Sequence, residues 1–314
     1  MSACLKPQSN FVPLKQMNLA YIFLAVLLFF MYSLTLLESG REGFESEETQ
    51  TFEDFDSIYD AKYAAIHDVL WNSNELIKYQ GVSIQQALAQ NPDAGTKILD
   101  LCCGTAPNAC AIIGAGAEYI GIDTSQAMID VAKSKCSTAT FQKGDITEVQ
   151  LFPPKSCGTC LLLGFSIYQF GNPKVISDNV FQWLKPGGFF VVHLVDPDKY
   201  DPLHDLASPF AAFSLQKYSL DRQVESQIFF DQFKYTGKLM KKKDVDTAIY
   251  EEKFSFYDPK DNGGTKYREN KHRWNMPSKE RMIDIFKSSG LKLLESLDLV
   301  RCGKEYQYLV FLTK

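Results

Sequence analysis

The residues best suited to chemistry form a run of small side chains after a short apolar segment: Asp100-Leu101-Cys102-Cys103-Gly104-Thr105-Ala106. At the carboxyl end of a strand in an open parallel sheet, such a turn lets backbone amides approach a ligand. Two other patterns compete with it. Gly114-Ala115-Gly116 could open a dinucleotide fingerprint, but position 119 is Tyr and the glycines precede a strand instead of following one, so a helix-to-strand turn is expected. Cys157 and Cys160 form one C-x-x-C with no second pair to complete four ligands, and no metal site is expected. The eight cysteines do not resemble a stapling framework, and several sit in apolar runs, so reduced, mostly buried thiols are expected.

Alternating short apolar runs and helical stretches would position that turn. Strands are predicted at 97–101, 119–123, 138–142, 159–164, 189–195, 291–297 and 306–312, with helices at 107–114, 125–135, 174–184 and 278–289. The last two strands are separated only by Arg301-Cys302-Gly303-Lys304, which predicts a terminal antiparallel hairpin. The expected fold class is therefore α/β: a doubly wound, seven-stranded, mostly parallel, Rossmann-like sheet. Residues 57–90 carry apolar positions at helical spacing and predict two amphipathic helices before the sheet. Residues 196–275 break the cadence with a Pro-rich loop and alternating runs, which predicts a small antiparallel cap inserted between strands five and six.

The turn in Ile98-Leu99-Asp100-Leu101-Cys102-Cys103-Gly104-Thr105-Ala106 resembles the first motif of class I S-adenosylmethionine (SAM)-dependent methyltransferases, commonly V-L-D-L-G-C-G-T-G. The resemblance runs through the region 57–314 and implies a methyltransferase domain with SAM as cofactor. It places Asp100, Cys102, Gly104 and Ala106 against the cofactor, with Asp123 on the ribose hydroxyls, a role suited to a carboxylate that accepts two hydrogen bonds. It also places Met128 beside the adenine, Asp145 and Ile146 in Gly144-Asp145-Ile146 at the adenine amino group, and Gly164 at the end of the fourth strand. Leu184-Lys185-Pro186-Gly187-Gly188-Phe189 resembles the family's turn into strand five. Two family glycines are replaced, by Cys102 and Ala106, and their side chains can be accommodated if neither backbone needs positive φ.

Methyl transfer from a sulfonium relies on alignment and water exclusion. Tyr59 or Tyr63 could close over the cationic sulfur. The Asn/Asp-Pro-Pro-Tyr/Phe signature of amino-methylating DNA and protein enzymes is missing, as is a Pro-Cys nucleophile. The resemblance is then to the small-molecule branch, with Tyr168 and His193 as catalytic candidates, either general base or orienting group. His272 and Trp274 could line the pocket. Two readings stand: an enzyme acting on a small-molecule or lipid-like acceptor, or a catalytically degenerate SAM-binding interaction module.

The chain has 314 residues and a net charge of -5 without a long basic stripe, so a nucleic-acid partner is not expected. After a tail at 1–18, the uncharged run 19–37 is just long enough to cross a bilayer and predicts a single-pass membrane anchor; a cleaved signal peptide is the competing reading. Flanking charges favour a cytoplasmic N-terminus, whereas the cytosolic origin of SAM and the free thiols favour a cytosolic domain, and the side stays open. Residues 38–56 are acidic and poor in apolar side chains, and predict a flexible linker.

Overall fold

A computed structural model describes residues 49–113, 117–207, 224–242, 245–257 and 265–314. The predicted anchor at 19–37 and the Gly114–Gly116 turn lie outside the described residues. Among those described, no helix is long and apolar enough to cross a membrane.

In chain order the elements are β1 (Thr49–Phe52), α1 (Phe55–Ile58), α2 (Ala61–Trp71), α3 (Asn74–Gln90), β2 (Lys97–Leu101), α4 (Ala109–Ile112), β3 (Glu118–Asp123), α5 (Gln126–Lys135), β4 (Thr140–Lys143) and β5 (Cys157–Leu162). They continue with α6 (Pro173–Trp183), β6 (Leu184–Val195), β7 (Glu225–Phe229), β8 (Phe233–Lys241), β9 (Thr247–Tyr257), β10 (Thr265–Asn275), α7 (Lys279–Ser288), β11 (Lys292–Leu299) and β12 (Lys304–Thr313).

Seven strands form one sheet in the order β11-β12-β6-β5-β2-β3-β4. β12 pairs antiparallel with both β11 and β6, and the remaining pairs are parallel, as the hairpin and the α/β cadence predict. Helices cover both faces, so the central strands have no solvated side: every residue of β5, Cys157 to Leu162, is buried. Leu99, Leu162, Val192 and Leu312 cluster with Trp183 and Phe286 of the covering helices in this core. The helix starts are encoded locally. Ser73, Ser125 and Ser278 each accept the backbone N–H three residues on, and Asn172 followed by Pro173 opens α6.

The second sheet has the order β1-β10-β9-β8-β7 and is antiparallel except for the parallel β1–β10 pair. Its strands β7 to β10 are the predicted insertion. Thr49–Phe52 correct the expectation of a flexible linker through residue 56: these residues pair with Tyr267–Asn270, and the Arg268 guanidinium lies 4.6 Å from the Phe52 ring centroid. The short polar run lacked a strand signal because its stabilisation comes from a partner edge far along the chain.

Two more expectations are corrected. The helix predicted at 107–114 is a single turn, Ala109–Ile112, because Asn108 makes no side-chain cap hydrogen bond and the chain leaves the helix at Ile113. Cys110 and Cys136 form a disulfide, against the expectation of reduced thiols. Their pairing is invisible in the spacing, because β3 and α5 intervene and return Cys136 to the end of α4.

Candidate functional site

A cavity of about 170 Å³ lies at the carboxyl ends of β2, β3, β5 and β6, covered by α2 and the cap sheet. Its floor is the turn after β2. Cys103 N–H donates to the Ile122 carbonyl (2.9 Å), and Gly104 N–H donates to Asp123 Oδ2 (2.8 Å). Ser125 N–H donates to the other oxygen of Asp123 (2.9 Å). The turn and the carboxylate after β3 therefore hold each other in place. Burial pushes the Asp123 carboxyl above its ordinary value, against the backbone donors that lower it.

Cys102, Gly104 and Ala106 all adopt positive φ, at 51°, 53° and 47°. The backbone keeps a glycine-like course although two side chains are present, so the condition that neither position need positive φ is not met. Ala106 turns into the core, whereas Cys102 lines the cavity. Burial, together with Asp123, Asp100 and Asp145, holds the Cys102 thiol well above its ordinary value, which leaves it a poor nucleophile. Asp100 is buried and accepts a hydrogen bond from the Tyr119 hydroxyl; burial pushes its carboxyl up to about 7.

Met128, Gly164 (φ 65°) and Tyr59 also line the cavity. Tyr59 accepts a hydrogen bond from Gln169 Nε2 (3.0 Å), and burial followed by the Glu252 charge pushes its hydroxyl far up, so it stays a neutral phenol. Tyr63 instead points into the cap core. α2 is pinned to the turn by Asp68, which accepts from Thr105 and Lys135. Despite burial, the His67 ring 3.7 Å away and hydrogen bonds from Lys135 and Thr105 hold Asp68 below the ordinary carboxylate range.

Asp145 and Ile146 are not brought to the cavity. Asp145 is exposed, with Oδ1 accepting from the Thr147 backbone and hydroxyl (both 2.8 Å), and Ile146 is a core side chain. Tyr168 is corrected more firmly: it is fully buried, outside the cavity lining, and its hydroxyl accepts the Val195 N–H (2.7 Å). The backbone of β6 needs that oxygen.

His193 does reach the cavity. Its Nε2 pairs with Gln307 Oε1 (3.1 Å), and its buried Nδ1 has no partner among the described residues. With the amide oxygen accepting, the ring proton is on Nε2 and Nδ1 carries the lone pair. Burial takes His193 down to about 4, so the ring is neutral near pH 7.

Of the cap wall, His272 and Trp274 were expected at the pocket, whereas Tyr250 and Glu252 were not. His272 and Trp274 line the cavity with Tyr250, and Trp274 stacks on both Tyr250 (5.0 Å between centroids) and Phe165 (5.5 Å). Behind His272 lies Glu252, 1% exposed. Its Oε1 accepts from Tyr63 (2.9 Å) and Tyr235 (3.0 Å), and its Oε2 accepts from Asn270 (3.0 Å) and His272 Nε2 (2.8 Å). Burial alone would raise its pKa, but the adjacent His272 ring, through its charge when protonated and its hydrogen bond, with Asn270 and Tyr63, brings it down to about 2. His204 fastens the loop after β6 to the same cluster, donating from Nδ1 to the Leu70 carbonyl (2.7 Å) with Nε2 near Tyr250 and Tyr235. A signal for Glu252 existed: it stands in phase with Ala248, Tyr250 and Phe254, on the apolar side of an alternating strand.

The donors and acceptors suit a polar, nucleoside-bearing ligand. Asn108 Nδ2 donates to Gln80 Oε1 (2.8 Å), leaving Gln80 Nε2 and Asn108 Oδ1 buried without partners among the described residues, and both residues line the cavity near the turn. One donor and one acceptor are thus open to a ligand with carboxylate and ammonium groups. A β-carbon at Gly104 would meet nothing within 4 Å.

A methyltransferase domain model matches residues 98–188. The chain is 27% identical over 147 residues to a demethylmenaquinone methyltransferase of Clavibacter sepedonicus, covering 45% of this chain and 55% of that protein. It is 25% identical over 159 residues to dTDP-4-amino-2,3,4,6-tetradeoxy-D-glucose N,N-dimethyltransferase of Saccharopolyspora spinosa, covering 49% and 64%. The matched segments therefore span less than two thirds of these relatives. In fold, the chain is similar to an S-adenosylmethionine-dependent methyltransferase from Clostridium acetobutylicum, with TM-score 0.59 and 16% identity over 80% of this chain and 97% of the other.

Proposed function

We propose, from the premise that residues 98–188 are a methyltransferase domain of the SAM-dependent class, that this chain transfers the SAM methyl group to a small-molecule acceptor held beneath the cap. The observation that carries this reading is that one cavity joins the Asp100–Gly104 turn and Asp123 to His193 and the aromatic cap wall. The names of the two sequence relatives, one acting on demethylmenaquinone and one on an amino sugar, support a small acceptor.

SAM would supply an electrophilic methyl group on a sulfonium. In this assignment Asp123 accepts from the ribose hydroxyls, Met128 packs beside the base, and Gln80, Asn108 and Asp100 meet the polar methionine end. Tyr59, Phe165 and Trp274 exclude water from the reacting centre. His193 offers Nδ1 as a neutral hydrogen-bond acceptor that orients the methyl acceptor. Residues 19–37 are proposed as a single-pass membrane anchor, which would bring lipid-like acceptors within reach of the cavity.

The second reading, a SAM-binding module without turnover, is favoured by the left-handed Cys102 and Ala106. Full-length chain in detergent micelles, titrated calorimetrically with SAM and then incubated with methyl-labelled SAM and membrane or metabolite extracts, separates the two. Labelled product supports the enzyme; binding without transfer to any fraction supports the module; no binding refutes both. Asp123→Ala is expected to abolish measurable SAM binding, and retained affinity would show the ribose assignment to be wrong.

A further inference from the structure

We propose that the acceptor is an amine entering as its ammonium ion, and that His272, held by Glu252, takes its proton before the nitrogen attacks. This rests on the cavity being the methyl-transfer site.

The two side chains come from neighbouring strands. Glu252 of β9 faces Asn270 of β10, and His272 follows two residues on along the same face. His272 Nε2 lies 2.8 Å from a carboxylate that also accepts from Asn270, Tyr63 and Tyr235. With four donors around it, Glu252 has no reason to take a proton itself. It fixes the His272 proton on Nε2 and leaves the Nδ1 lone pair for the cavity that His272 lines. A second proton on His272 would be countered by an anion in contact. His193 lacks that support, because its partner is the neutral Gln307 amide and an added proton would be buried without a counter-charge. Four histidines line the cavity, and His272 is the one whose ring nitrogen lies within hydrogen-bond distance of a carboxylate: His193 and His204 pair with neutral groups, and His67 stands 3.7 Å from Asp68.

The surroundings select a positively charged ligand. Rings of Tyr59, Trp274 and Tyr250 lie 6.0, 6.1 and 6.2 Å from the His272 ring, and aromatic faces attract ammonium groups. Besides Asp100 and Asp123, the carboxylates of Asp201 and Asp205 belong to residues that line the cavity. Lys304 is the one Lys or Arg side chain among the described lining residues, and Asp205 neutralises it at 2.6 Å.

The step balances. The ammonium N–H bond breaks and its proton passes to His272 Nδ1, giving an imidazolium paired with Glu252. The freed nitrogen lone pair forms the N–C bond as the S–C bond breaks, its electron pair going to sulfur, and a neutral thioether leaves.

The test uses full-length chain, labelled with 15N-histidine and saturated with S-adenosylhomocysteine. Long-range 1H–15N spectra are expected to place the His272 proton on Nε2, and benzylammonium is expected to perturb that resonance and bind at least tenfold more tightly than benzyl alcohol or benzoate. Glu252→Gln should weaken benzylammonium about tenfold while SAM affinity stays within twofold. A proton on Nδ1, equal or tighter binding of the alcohol or acid, or undiminished benzylammonium affinity in a folded Glu252→Gln would overturn the proposal. The first two readouts need only the wild-type chain, so they decide even where the variant does not fold. Loss of SAM binding in the wild-type chain would strike the underlying methyltransferase reading; intact SAM binding without ammonium preference strikes the amine alone.

Discussion

Replacing Cys102 in both directions measures what the turn after β2 tolerates. At φ 51° an L-residue carries strain of about 1–2 kcal/mol. Cys102→Gly releases that strain, gives back about 0.5–1 kcal/mol through the greater freedom of the unfolded chain, and loses the packing of a half-buried thiol, worth about 0.8 kcal/mol for its methylene. These contributions nearly cancel, and the glycine variant is expected within about 1 kcal/mol of wild type. Cys102→Val keeps the strain and adds a β-branched side chain, for which positive φ is a true outlier. The two variants should then differ by about 2–3 kcal/mol, which for a fold of this size is roughly 4–12 °C in thermal midpoint. Circular dichroism melting of the full-length variants reads the difference, and calorimetric SAM titration shows whether removing the side chain from the cavity tightens binding, as expected. Val and Gly variants melting within about 2 °C of each other would mean that Cys102 does not occupy the left-handed region, and the account of the turn would fall with it.

Two further substitutions address individual side chains. Burial holds the Asp100 carboxyl near about 7, so ionising it opposes folding above its unfolded value of ~3.9, increasingly until pH passes the folded value. Asp100→Asn is therefore expected to stabilise the ligand-free chain by on the order of 2–4 kcal/mol at pH 8, with the gain fading toward pH 4; urea unfolding with the same gain at both pH values would refute it. Tyr168→Phe strands the buried Val195 N–H and should cost about 1–3 kcal/mol in the same assay, while the folded fraction keeps its SAM affinity and its turnover; a hundredfold loss of turnover would return Tyr168 to the catalytic set.

The legible parts of the chain are those with local causes. Continuous apolar runs between capped helices announce a buried parallel sheet, and Asp100, Gly104 and Asp123 are legible because a strand end, a tight turn and a carboxylate are each encoded within a few residues. Tyr168 and Asp145 were misplaced because motif spacing fixes a residue along the chain but not the direction of its side chain. Tyr168 turns inward to satisfy β6, and Asp145 turns outward to cap its own loop. The alternating runs at 196–275 made the cap legible as an antiparallel insertion, but not its register, because its pairings join strands through long-range contacts whose energy is not written in either strand alone. Even so, Arg268, Asn270, His272 and Trp274 occupy successive buried positions of β10, and polar side chains in the apolar phase of a strand are where a buried network should be sought.

The pairing of β1 with β10 joins residues roughly 200 positions apart and sets a timetable for the molecule. At about 5–20 residues per second, a ribosome needs roughly 10–40 s between making Thr49 and making its partner Tyr267. During that interval the turn after β2 can form beside β3, but β10, with the His272 wall, does not yet exist. A nascent chain therefore carries a cofactor floor without an acceptor roof, and a complete site is assembled only when the last part of the sequence has emerged.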